Sequence, residues 1–219
     1  MDIQFIADSL PLYLKAAKLT LTLSFWAIVL SLVTGFLCSL VLYYKVRGLR
    51  FIVRAYIELS RNTPLLIQLF FLYYGLTQVG VKLQANTCAI AGLVFLGGSY
   101  MAEAFRSGLE AVGNTQLESG RSIGLTEPQL IRYIIFPQAF SIALPALGAN
   151  AIFLIKETSI VSAIALADLM FVAKDLIGMY YSTFEALLML VVAYLIILLP
   201  LSLLLSRLER RVRYAQFGN

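Results

Sequence analysis

The chain has 219 residues, of which 60% are hydrophobic and 13% charged, and its formal net charge is +5. A soluble domain of this size carries about 25% charged residues, and an apolar excess this large leaves too few polar groups to cover a soluble surface. Composition therefore excludes an ordinary soluble domain, and the absence of histidine removes the commonest general base and transition-metal ligand.

The N-terminus, Met1-Asp2-Ile3-Gln4, opens on an acidic residue and leads into a long apolar run. A secretory signal would open on positive charge and have a short apolar core, so this run reads as a retained membrane span. A crossing helix needs about 20 mostly apolar residues. Five stretches qualify, giving an all-α integral membrane fold in one domain, residues 1–219. They run at about 19–44, 64–81, 86–105, 141–166 and 184–205. The first and fifth are uniformly apolar, whereas Gln68, Glu103, Lys156 and Glu157 interrupt the others. Cys38 and Cys88 each sit inside an apolar run, which predicts reduced, packed thiols.

Basic residues follow the first span (Lys45, Arg47, Arg50, Arg54, Arg61) and the third (Arg106, Arg121, Arg132), and they fill the tail (Arg207, Arg210, Arg211, Arg213). The opposite side holds Lys15, Lys18, Lys82 and Lys174. Because lysine and arginine gather on the cytoplasmic side, this distribution predicts the N-terminus outside and the C-terminus inside. The positive charge is a topology signal, and nucleic acid is not an expected partner.

The segment at about 106–140 is the longest outside the spans. Thr115-Gln116-Leu117-Glu118 fits a capping box at a helix start, and Gly124 suits a left-handed helix stop. Thr126-Glu127-Pro128-Gln129 fits a second capping box with proline in the first turn. The expected order is a short helix, a glycine stop and a new helix leading into the fourth span.

No enzyme chemistry emerges. Gly120-Arg121-Ser122-Ile123-Gly124 matches a nucleophile-elbow pattern, but an elbow needs a preceding strand and a histidine base. No Gly-Lys pair exists for a phosphate-binding loop, and no metal-ligating set is present. The polar residues of the spans are the candidate chemistry instead. Lys156-Glu157-Thr158-Ser159 stands in the fourth span, with Asn150 seven residues before Glu157 on nearly the same helical face. A lone charge near mid-bilayer costs roughly 2.5–3.5 kcal/mol on insertion scales, so the cluster reads either as a clasp between helices or as the lining of a polar path. Gln68 and Tyr100 are further path candidates. Gln68 also fits a polar contact between helices, and the small residues Gly92, Gly97, Gly98 and Ser99 fit close helix approach.

Three stretches together resemble the membrane subunits of ATP-driven importers. Glu118-Ser119-Gly120, then Gly124, then Ile134-Ile135-Phe136-Pro137 resemble the Glu-Ala-Ala, Gly, Ile-x-Leu-Pro signature, with small residues for the alanines and Phe136 for leucine. Arg61-Asn62-Thr63-Pro64-Leu65-Leu66-Ile67-Gln68 and Lys156-Glu157-Thr158-Ser159 are similar to runs of the polar amino-acid permeases. The resemblance implies a type I ABC importer membrane fold and import of polar amino acids across a bacterial inner membrane. It also implies a second permease subunit (the same or a related chain), an external substrate-binding protein, and a cytosolic ATPase dimer that binds ATP and magnesium in place of this chain. Glu118, Ser119, Gly120, Gly124 and Pro137 would then belong to the segment that docks on the ATPase. An ion-gradient-driven secondary transporter or a channel-type subunit are the alternatives; a secondary transporter would normally show internal repeats, and none is visible.

Overall fold

The computed structural model describes residues 2–217, with side chains through residue 212; the side chain of Arg213, counted above in the basic tail, lies outside the described residues. The described residues are mostly helical and contain no strand. Among the described residues, four helices are long and apolar enough to cross a bilayer: α1 (Ile3–Tyr43), α4 (Ala85–Glu110), α6 (Glu127–Ile164) and α8 (Thr183–Phe217). Shorter helices stand between them: α2 (Leu49–Arg61), α3 (Leu65–Gln78), α5 (Asn114–Ser122) and α7 (Leu169–Tyr180).

The first helix begins at Ile3, well before the expected edge near Leu19. Asp2 caps it, its carboxylate accepting from Phe5 N at 3.0 Å. The added turns are only intermittently apolar, so a hydropathy reading passes over them, but they bury Tyr13 and Ala16 against α7 and the start of α8. The Tyr13 hydroxyl donates to the Ala186 carbonyl at 2.7 Å. Further along, α1 buries small residues at helical spacing, among them Ser24, Ala27, Ser31 and Gly35. They let its backbone press on α4: a Cβ at Gly35 would lie 2.8 Å from Ala102 N, and Gly97 of α4 is closed in by Ser31 and Leu154. The opposite face of α1 exposes Phe25, Trp26, Val33 and Leu37, as lipid contact requires.

The second crossing differs most from expectation. Residues 64–81 supply only α3, whose α-, π- and α-helical pieces cover about 21 Å at 1.5 Å per residue, short of the roughly 30 Å hydrocarbon layer. The basic stretch before it, expected as a loop, is the 13-residue helix α2. It lies along α4 end to end with α3: Tyr56 and Ser60 of α2 both donate to the Phe95 carbonyl at 2.8 Å, while Leu65 and Leu69 of α3 cover Gly92. Asn62, Thr63 and Pro64 make the break between the two. Pro64 cannot continue a helix from α2, and it disfavours the helical conformation at Thr63.

The remaining three expected spans lie almost wholly inside longer helices. α6 starts well before the expected edge near Ser141 and is continuous from Glu127, with a π-helical turn at Ile131–Ile135 and a 3-10 ending at Thr158–Ile164. Pro137 follows the π turn and lacks the amide that would continue the regular ladder. α8 runs on past Leu205 to Phe217. The two thiols are free, Cys88 fully buried beside Leu93 in the main core.

Candidate coupling helix and polar path

Between α4 and α6 the chain leaves the bundle and returns. α5 starts one residue before the expected capping box. Its N-cap is Gly113, in extended conformation, with no side-chain cap, so Thr115 falls inside the first turn and Glu118 is not its reciprocal partner. The Glu118 carboxylate accepts no hydrogen bond among the described residues and stays exposed, as does Ser119.

The C-terminal end follows expectation. Gly124 has φ +84°, its amide donates to the Arg121 carbonyl at 3.0 Å, and the Leu125 amide donates to the Gly120 carbonyl at 3.1 Å. These are the paired bonds of a Schellman stop, whose left-handed residue favours glycine. The second capping box also forms, Gln129 accepting from Thr126 N and Oγ1 at 2.9 Å each, with Pro128 in the first turn. Arg121 Nε donates to Glu127 Oε1 at 2.9 Å across the turn, and this bond holds the guanidinium pKa above its ordinary value.

Gly120 is the buried residue of α5. An added Cβ there would sit 2.5 Å from Leu130 Cδ2 and 2.6 Å from Ile134 Cδ1, so glycine lets the short helix lie flat on the start of α6. Leu117 packs on the small cluster of Val112, Ile135 and Ala139. Pro137 stands half-buried in the same stretch. The outcome is a short helix pinned along one side and capped at its far end, with Glu118, Ser119 and Ile123 (78% exposed) turned outward.

The path candidates come from three helices that converge. α3 packs on the 3-10 ending of α6, and Tyr100 of α4 tilts against Phe153 of α6, ring centroids 5.4 Å apart. Lys156 is exposed, Glu157 and Asn150 are half-buried, and no ion pair holds Lys156 or Glu157 among the described residues. Thr158 and Ser159 donate back to the carbonyls of Ile155 and Lys156 at 2.7 and 2.8 Å. Gln68 stands apart in role. Its amide nitrogen donates to the carbonyls of Ser60 (3.1 Å) and Thr63 (2.9 Å), so it ties α2 to α3 across their break.

A polar ladder outside the expected path stands beside it. Glu103 Oε2 takes Arg106 Nη2 at 2.7 Å and stands 3.8 Å from Arg61 Nη1, and Arg106 reaches Glu110 at 2.9 Å. The Arg61 guanidinium also covers the Tyr100 ring, 5.1 Å from its centroid, a favourable cation–π placement. The spacing of Glu103, Arg106 and Glu110 on one helix was a readable signal; the partnership with Arg61 was not, because it depends on how α2 lies.

The model of the binding-protein-dependent transport system inner membrane component family matches residues 27–214. A probable glutamine ABC transporter permease protein of Bacillus subtilis is 31% identical over 212 residues, covering 97% of this chain and 98% of its own. A nopaline transport system permease protein of Agrobacterium fabrum is 33% identical over 219 residues, covering 95% and 91%. Among solved structures, an amino acid ABC transporter crystallised with histidines is 36% identical with a TM-score of 0.89, over 96% of this chain and 99% of that one.

Proposed function

The chain belongs to the binding-protein-dependent transport system inner membrane components, and from that premise we propose that it is the permease subunit of an ATP-driven importer of polar amino acids. The observation that carries the reading is α5: a short, rigid helix outside the bundle, stopped by Gly124 and seated through Gly120 on the helix that continues into the polar cluster. A force applied to its exposed side passes to α6 as a rigid-body displacement, because packed interiors do not deform continuously.

In this reading Glu118, Ser119, Gly120, Gly124 and Pro137 form or shape the seat of a cytosolic ATPase dimer, which holds ATP and magnesium. Two permease subunits enclose the path, and an external binding protein delivers the substrate. The basic residues orient the chain with its N-terminus outside and C-terminus inside the bacterial inner membrane. Residues 1–219 work as one unit. Lys156 and Glu157 present opposite charges where a zwitterionic amino acid carries them, and Asn150, Ser159 and Tyr100 add polar edges. Gating of one bundle against another supplies alternating access. Relatives 31% and 33% identical bear the names of glutamine and nopaline systems, so similarity leaves the side chain of the substrate open.

The test is reconstitution with its ATPase and binding protein in vesicles, measuring uptake of labelled amino acids. ATP-dependent uptake is expected. Uptake that persists without ATP and follows an ion gradient would establish the secondary-transport alternative.

A further inference from the structure

A second polar feature extends from the Arg61–Glu103 ladder to where α1 ends and α2 begins. A cleft of about 720 Å³ opens there between α1, α2 and the end of α4. α2 builds one of its walls. Arg50, Arg54, Glu58 and Arg61 recur at helical spacing and line it, while Phe51 (79% exposed) and Ile52 (62%) project elsewhere.

The charges of the cleft divide into two groups. At the Arg61 end they are matched within the chain: Arg106 holds Glu103 and Glu110, and Arg61 approaches Glu103. Glu58 accepts from Asn62 Nδ2 at 3.2 Å. At the other end Lys45, Arg50 and Arg54 have no carboxylate within ion-pair distance among the described residues. The Arg50 Nε atom is also buried with no hydrogen-bond partner. A buried guanidinium N–H is costly unless an acceptor meets it. Three cations without a carboxylate partner line one end of the cleft; their charge favours an anionic acceptor, and an arginine fork matches phosphate oxygens.

The surroundings identify the carrier of that phosphate. Outside the cleft, the turn after α1 and the first turn of α2 expose Tyr44, Val46, Leu49, Phe51 and Ile52. Such side chains at the end of a membrane helix contact acyl chains, and basic pockets between membrane helices bind anionic headgroups. We propose that this cleft is a binding site for the headgroup phosphate of an anionic phospholipid, held by Arg50 and Arg54 with Lys45 at its edge.

The experiment is a thermal-unfolding titration of the full chain, purified in its assembly in a neutral detergent. The probes are phosphatidylglycerol, phosphatidylcholine with the same acyl chains, and soluble glycerol phosphate. Phosphatidylglycerol is expected to raise the unfolding midpoint saturably, and the other two to leave it unchanged. A basic residue near a membrane surface contributes about a fivefold gain in affinity. The double variant R50Q/R54Q should therefore need about thirty times more phosphatidylglycerol for half the effect. If that variant does not fold, Lys45→Gln, at an exposed turn, should need about five times more. An unchanged response in whichever of these variants folds overturns the proposal, as does an equal response to phosphatidylcholine. An equal response to glycerol phosphate also overturns it, and would make the cleft a soluble-anion site.

Discussion

Gly124 offers the sharpest perturbation. It stands at φ +84° with no atom within 4 Å of where a Cβ would lie, so size and conformation can be separated there. A left-handed conformation costs an L-residue about 1–2 kcal/mol, and the reduced freedom of the unfolded chain returns roughly 0.4–1 kcal/mol. Gly124→Ala should therefore weaken the Schellman stop by about 1 kcal/mol, a factor of about five in the population of the capped α5. Asparagine tolerates this region and should cost less, while a β-branched residue such as valine should cost more. The assay is ATP hydrolysis and amino-acid uptake measured together in vesicles, with protein level as control. The number of substrates moved per ATP should fall in the order Gly, Asn, Ala, Val. If Asn and Ala behave alike, or if Val is as good as Gly, the backbone argument fails, because the open space excludes a steric explanation.

Four further outcomes follow from other sites. Gly35→Val should prevent close contact of α1 with α4 and destabilise by about 2–3 kcal/mol, seen as a large loss of folded protein on size-exclusion; a normal profile would refute the packing described. Tyr13→Phe removes the 2.7 Å bond to Ala186 and should lower stability by about 1 kcal/mol in denaturant titration, with no change expected in substrate preference. Asp168, fully buried, accepts from Phe171 N at 3.0 Å and Met170 N at 3.2 Å, so Asp168→Ala should cost about 1–2 kcal/mol of thermal stability and Asp168→Asn much less. Glu157→Gln should lower the uptake rate or shift the preference among cationic, neutral and anionic amino acids; a variant indistinguishable from the parent would return Glu157 to a packing role.

Several of these positions could be read from the sequence. Gly124 and the Thr126 box depend only on local chemistry over four to six residues, and both formed as expected. The Thr115 box obeyed the same pattern and did not form, because Gly113 took the cap conformation first and moved the helix start toward the N-terminus. Patterns of equal quality compete for one helix end, and the sequence does not rank them. The second crossing was harder for another reason. Hydropathy scores Arg50, Arg54 and Arg61 against a membrane location, yet Arg61 is matched by Glu103 and Tyr100 on a neighbouring helix. Partners distant in sequence thus reverse what each segment implies when considered alone. The same holds for the first turns of α1, whose burial depends on α7 and α8. Of the path candidates, Tyr100 and the 156–159 cluster do lie on converging helices, whereas the hydrogen bonds of Gln68 to Ser60 and Thr63 required knowing that the chain breaks between them.

The break between α2 and α3 also bears on how the chain enters the membrane. During synthesis α3 emerges as an apolar piece too short to span, preceded by three arginines that each disfavour insertion by roughly 2.5–3.5 kcal/mol at the bilayer centre. Neither half is a self-sufficient insertion signal. What completes the crossing is α4, which supplies the Phe95 carbonyl for Tyr56 and Ser60 and the Glu103 carboxylate for Arg61. These contacts lead to the expectation that the second and third segments insert together, as a helical hairpin whose later arm supports the earlier one. A nascent chain truncated before Glu103 is expected to leave α2 on the membrane surface, so the topology of this region is decided after its residues have already been made.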